Sequence, residues 1–150
     1  MASWLARVAR FVIRKRVRPA LGDMRDLMRV RKVMGQALPP PKGVTYTRDT
    51  VGGIPGEWVE REGAAGVADR SKRPTLMYVH GGGFVGCSPR THRPITAAFA
   101  LQGMRVFAPD YRLAPEHPFP APLDDVVAAW RALRQRHDAD SPSQRLLLAG

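Results

Sequence analysis

Between Thr75 and Ala149 the chain alternates two hydrophobic periodicities, and no other feature narrows its fold so far. Thr75 to Val79 is a short apolar run, the signature of a strand buried on both faces. Thr91 to Gln102 has helical spacing, with Pro94 inside the first turn, where a missing N–H costs nothing. Arg105 to Ala108 is again apolar and short. Ala121 to Arg136 is helical, with Val126, Val127, Trp130 and Leu133 expected to face inward. Leu146 to Ala149 is a further apolar run that ends at Gly150. Strand, helix, strand, helix, strand predicts a parallel sheet wrapped by helices, an α/β fold.

Upstream the pattern differs. Val44 to Val51 and Ile54 to Arg61 flank Gly52-Gly53, a hairpin signal, and residues 63–74 read as a loop. The run Pro39-Pro40-Pro41 stops helix and acts as a stiff connector. Two helices are expected before it. Residues 3–17 place Trp4, Val8 and Phe11 with Leu5 and Val12 on one face, and Arg7, Arg10 and Arg14 on the opposite one. A second helix runs from about Met24 to Met34 with Asp23 as its N-cap; Met24, Leu27, Met28, Val30 and Met34 form its apolar side. The chain thus divides into a helical segment, 1–41, and a strand-containing segment, 42–150.

Charge follows the same division. Residues 1–50 carry 12 Lys and Arg against 3 acids, whereas residues 51–150 carry 12 against 10. The basicity belongs to the amino-terminal segment, where it serves nucleic acid, anionic lipid or solubility. No nucleic-acid-binding motif appears, and the basic face lacks interleaved aromatics for base stacking, so a solvated or lipid-touching helix is the expectation. Arg7, Arg10 and Arg14 interrupt any secretory apolar region, and Phe11-Val12-Ile13 is far too short to span a bilayer. Met1 to Gly22 is Arg-rich and free of acids, as mitochondrial presequences are, but Ser3 is its only serine. The single cysteine, Cys87, excludes an intramolecular disulfide and fits a reducing cytoplasm.

His80-Gly81-Gly82-Gly83-Phe84 directly follows the first of the buried strands. Consecutive glycines leave backbone N–H groups unobstructed and permit dihedrals closed to other residues. Such a loop can aim two amides at the oxyanion of an acyl-transfer intermediate. A flexible turn or a phosphate cradle would have the same composition. A second segment, Asp110-Tyr111-Arg112-Leu113-Ala114-Pro115-Glu116-His117-Pro118-Phe119-Pro120, follows the next strand. The two motifs, in this order and at this distance, resemble the hormone-sensitive-lipase-type carboxylesterases of the α/β-hydrolase superfamily. The resemblance covers about Val44 to Gly150, and the two helices before it look like that family's cap segment.

The resemblance implies an incomplete α/β-hydrolase fold with amino-terminal cap helices and the first five strands of the sheet. It implies a serine nucleophile activated by a histidine that a carboxylate orients, acting on short- or medium-chain acyl esters without metal or organic cofactor. Gly82 and Gly83 would donate to the oxyanion, while His80 and Gly81 support the loop. Gly150 looks like the first glycine of Gly-x-Ser-x-Gly, the strained turn that exposes the serine. The serine, the acid and the histidine would then lie beyond Gly150, because Ser88, Ser141 and Ser143 each adjoin a proline instead. His117 is a poor triad histidine, since the family's order is serine, acid, histidine.

Plainer roles are expected for the remaining polar residues. Asp110, Arg112 and Glu116 would pin the proline-rich loop through buried hydrogen bonds. Asp124 and Asp125 would favour the positive end of the helix dipole. Cys87 reads as an inert small residue. Two rivals stand beside the esterase: a non-catalytic small-ligand receptor on the same fold, resembling the plant gibberellin receptors, and a basic nucleic-acid- or membrane-binding protein. Oligomeric state has no signal in the sequence.

Overall fold

A computed structural model of the chain describes residues 4–17, 19, 26–64, 73–140 and 145–150. Its centre is a five-stranded sheet built from β1 (Val44–Val51), β2 (Ile54–Arg61), β3 (Thr75–Tyr78), β4 (Arg105–Pro109) and β5 (Leu146–Ala149). The spatial order is β1-β2-β4-β3-β5. β1 and β2 form the expected antiparallel hairpin, with Val51 opposite Ile54 across the glycine turn. Gly52 and Gly53 both take positive φ, 63° and 81°, as the tight turn requires. β3 pairs in parallel with β4 on one side and with β5 on the other. β2 joins the two halves by pairing antiparallel with β4.

The alternation of side chains across the sheet produces two cores. Val44, Val59, Leu76, Tyr78 and Val106 face α3 (Arg93–Leu101), whose Ala97 and Ala100 pack against them. Val51, Met77 and Phe107 face α4 (Ala121–Asp140), which contributes Ala129 and Leu133. Successive residues such as Leu76 and Met77 therefore enter opposite cores, so all four residues of β3 are buried. Each large side chain buried this way contributes about 1.5–3 kcal/mol relative to exposure.

The elements start and stop close to their expected positions, with local differences. Pro89–His92 forms a 3₁₀ turn, and α3 begins only at Arg93, with Pro94 in its first turn as expected. The buried ridge of α4 is Asp125, Ala129, Leu133 and His137, at steps of four, with Val126 and Trp130 half-buried beside it. Val127 does not join this core. Along β5, Leu146 packs against one core and Leu147 and Ala149 against the other, while Leu148 is exposed.

Two helices precede the sheet. α1 (Trp4–Val12) continues into a π-helical turn, Ile13–Val17. α2 (Leu27–Met34) is capped by Asp26, whose carboxylate accepts from the Arg29 N–H at 2.9 Å. The expected start at Met24 with Asp23 as cap lies outside the described residues. Val30 is the buried residue of α2.

Candidate active site

In a parallel sheet the carboxyl ends of the strands are where ligands are held, since the loops there vary without disturbing the core. In this chain three such ends adjoin. β3 runs into the glycine loop, β4 into the proline-rich segment, and β5 into Gly150. Val79 N–H donates to Ala149 O at 2.8 Å, so Gly150 sits beside the residue that precedes His80. A Cβ on Gly150 would lie 2.7 Å from Val79 O, which leaves room for glycine only.

The glycine loop is a tight turn closed on itself. Gly82 O accepts from the N–H groups of both Val85 and Gly86, each at 3.2 Å. Gly82 has φ +132°, and a Cβ there would lie 2.2 Å from Gly86 O. Gly83 also has positive φ, +62°, but open space around it. The Gly82–Gly83 peptide is trans and planar, so its C=O and N–H point in opposite directions. With the carbonyl turned into the loop, the Gly83 N–H is turned out of it. Neither the Gly82 nor the Gly83 N–H is hydrogen-bonded among the described residues. Phe84 and Cys87 continue the turn with positive φ, 61° and 68°.

The proline-rich segment buttresses this turn. Ala114 N–H donates to Phe84 O at 2.8 Å. Tyr111 is buried, and its hydroxyl donates to His80 O at 2.6 Å. The Tyr111 ring stacks on the His80 imidazole with centroids 4.2 Å apart. Burial pushes the Tyr111 hydroxyl up to about 12, so it stays a donor. His80 is buried too, and desolvation lowers its pKa. Its Nδ1 lies 3.0 Å from Gly81 O, which assigns the proton of the neutral ring to Nδ1. Nε2 is buried without a partner among the described residues.

Arg112 grips α4 from the same segment. Its backbone N–H donates to Asp125 at 2.9 Å, and its guanidinium reaches the same carboxylate at 2.7–3.1 Å. The dipole reading of Asp125 is thereby corrected: the carboxylate is buried, and the Arg112 hydrogen bonds hold it below the usual range. Asp124 is exposed in the first turn of α4, in keeping with the dipole. Of the three residues expected to pin the segment by buried bonds, only Arg112 does so with a buried partner. Asp110 is exposed, and desolvation together with Glu57 raises its pKa. Glu116 is also exposed and pairs with Arg31 of α2 at 2.5 Å.

A family profile described as alpha/beta hydrolase fold matches residues 76–150, from β3 to Gly150. The chain belongs to the α/β-hydrolase family, in its hormone-sensitive-lipase branch. An acetyl-hydrolase of Streptomyces hygroscopicus is 37% identical over 123 residues, which is 81% of this chain and 36% of that protein. A carboxylesterase of Mycobacterium tuberculosis is 46% identical over 66 residues, 43% of this chain and 20% of that one. Among solved structures, an esterase from the bacterial hormone-sensitive lipase family is 36% identical with a TM-score of 0.67. The match covers 82% of this chain and 40% of that one. This α/β-hydrolase chain therefore spans little more than a third of the acetyl-hydrolase's length. No helix among the described residues is long and apolar enough to cross a membrane.

The hydrolase fold brings His80, Gly81, Gly82, Gly83 and Gly150 to one end of the sheet. His117 lies in the proline-rich segment, with its N–H donating to Leu113 O at 3.0 Å. Arg31 carries no signal in the sequence, where only the apolar spacing of α2 stands out. Its guanidinium donates to Val85 O at 2.6 Å, to both Glu116 oxygens at 2.5–2.6 Å, and to Ala114 O. These partners lie 54 to 85 positions away, so no local spacing could have marked them.

Proposed function

We propose that this chain supplies the oxyanion-binding part of a serine carboxylic ester hydrolase acting on short- or medium-chain acyl esters. One observation carries the reading. The Gly82 carbonyl is engaged inside the loop, which leaves the Gly83 N–H facing outward at the strand end that adjoins Gly150. Uncommitted, preorganised amides beside a strand-end glycine are what a tetrahedral oxyanion requires. In this reading Gly82 and Gly83 donate to the oxyanion, His80 and Gly81 hold the loop, and Gly150 opens the turn that presents the serine. The serine would attack the ester carbonyl while a histidine takes its proton, then returns it to the leaving alcohol. α1 and α2 would form a cap over the acyl or alcohol pocket, and no metal or organic cofactor would take part. The relatives' names, acetyl-hydrolase and carboxylesterase, favour this reading over a receptor or a nucleic-acid-binding protein.

The test is the reading frame after Gly150. Serine at the second position and glycine at the fourth support the elbow; any other sequence removes it. In the full gene product a fluorophosphonate probe should then label that serine and no other.

We further propose a peripheral contact with anionic lipid, from the cytoplasmic side. Trp4, Phe11 and Ile13 are 74%, 63% and 51% exposed, and Arg7 and Arg10 of α1 and Arg14 and Lys15 of the π-helical turn after it are exposed too. No acid occurs before Asp23, so this surface complements negative headgroups while its aromatics enter the acyl boundary.

A further inference from the structure

Arg31 occupies a position that its distance from the glycine loop in sequence conceals. Its Nε donates to Val85 O at 2.6 Å. That carbonyl shares a planar trans peptide with the Gly86 N–H, which donates to Gly82 O at 3.2 Å. The Gly82 carbonyl in turn shares its peptide with the Gly83 N–H. The hydrogen bonds therefore run from the guanidinium through two peptide groups and end on one outward-facing amide.

A second line reaches the same carbonyl. Ala114 N–H donates to Phe84 O at 2.8 Å, and the Val85 N–H of that peptide donates to Gly82 O at 3.2 Å. Arg31 also donates to Ala114 O, which belongs to the next peptide, Ala114–Pro115, and so anchors this segment without joining the line. Both amides that hold the Gly82 carbonyl thus belong to peptides that something else restrains, Val85–Gly86 by Arg31 and Phe84–Val85 by Ala114. The last turn of α2 reinforces the contact. Cys87 Sγ lies 3.6 Å from Met34 O, and a Cβ on Gly86 would lie 3.4 Å from Met34 Sδ.

We propose that Arg31 is a positioning residue for the oxyanion donor: it orients and polarises the Gly83 N–H through the Val85–Gly86 and Gly82–Gly83 peptides. The inference rests on the ester-hydrolase reading for its catalytic consequence, though not for its geometry. A cation donating to a carbonyl draws electron density from the amide nitrogen, so the N–H of the same peptide becomes a stronger donor. In a chain of such groups each bond strengthens the next. The effect grows as negative charge develops on the substrate oxygen, so it acts on the transition state more than on bound ester. Glu116 has a different part. It accepts from Nη1 and Nη2 and leaves Nε to the loop, which fixes the plane of the guanidinium. Lysine has no such fork and could not serve Val85 O, Ala114 O and Glu116 together.

Arg31→Met, Arg31→Lys and Glu116→Gln in the full gene product test this, with two readouts. One is kcat and KM on 4-nitrophenyl butyrate, and the other is the Gly83 amide proton shift in a ¹H–¹⁵N spectrum. Arg31→Met should lower kcat on the order of tenfold with KM little changed, part of what losing an oxyanion donor costs. Its Gly83 amide proton should move upfield. Glu116→Gln, which keeps the Nε bond, should change both less. A folded Arg31→Met enzyme with normal kcat, or with an unmoved Gly83 amide, overturns the proposal. If Arg31→Met does not fold, Arg31→Lys is judged by the same two criteria. If the unaltered protein hydrolyses no ester, the ester-hydrolase reading fails on its own. The Gly83 shift then still decides whether the relay exists.

Discussion

Two parts of this chain carry large apolar and aromatic side chains in opposite settings. At the carboxyl end of the sheet, Tyr111 is 3% exposed, stacked on a buried histidine and hydrogen-bonded to its carbonyl. On α1, Trp4 is 74% exposed and Phe11 63%. The loops are held by bonds that cross the fold, from Tyr111 to His80, Arg112 to Asp125, Ala114 to Phe84 and Arg31 to Val85. The helix shows no such ties among its described residues and has a regular apolar face. Regular periodicity marks which residues form a helix, whereas immobility at a site comes from the number of independent restraints on each peptide. The glycine-rich segment, which composition would class as flexible, is the more restrained of the two.

The largest expected effect falls on the restrained region. Gly82→Ala places a Cβ 2.2 Å from a backbone oxygen at φ +132°, so the loop must move. In the full gene product kcat should fall on the order of 10²–10³, as for a lost oxyanion donor. Gly83→Ala meets no atom and keeps its N–H, so it should cost only about 1–2 kcal/mol of backbone strain. Equal kcat values for the two variants would show that the loop is not restrained as described.

A smaller effect should appear with pH. Desolvation lowers the pKa of His80 below its unfolded value of 6.5, and nearby His92 lowers it further, while the bond to Gly81 O opposes both. The folded state therefore binds fewer protons than the unfolded state. This contribution to stability is complete above about pH 6.5 and is lost as pH falls through the folded pKa. Urea midpoints at pH 7.5 and pH 5 should differ more for the unaltered protein than for His80→Gln. An identical difference in the two proteins would mean that His80 is not buried as a neutral ring.

The smallest change in stability is expected on α1. Trp4→Ser with Phe11→Ser should alter the unfolding free energy by no more than about 0.5 kcal/mol per site, the usual range for exposed positions. The same pair should abolish sedimentation with phosphatidylserine-containing vesicles, while leaving neutral vesicles unbound throughout. A large loss of stability would place the α1 face in a packed interface and bring the two regions closer in kind.

Much of the fold was legible because its signals are local. Strand and helix differ in side-chain period, so β3, β4, β5 and α4 could be located from apolar spacing, and Gly52-Gly53 announced the β1–β2 hairpin. Gly82 and Gly83 were legible for a similar reason, since positive φ excludes most side chains at those two positions. Resemblance to a known family then joined the glycine loop to the proline-rich segment. The guanidinium partner of Asp125 was not legible, because a carboxylate near the start of a helix looks alike whether it faces solvent or a cation.

The sequence by itself determined the α/β alternation, the hairpin and the identity of the two motif loops. Tertiary structure alone decided that β3 lies between β4 and β5, which puts Gly150 beside the start of the glycine loop. It also decided that Arg31, on a helix read only for its apolar side, reaches the peptides behind Gly83. The physical reason is range. Period and dihedral preference are set by each residue and its near neighbours, whereas strand order and the partners of a guanidinium are set by which distant segments the closed chain brings within a hydrogen-bond length.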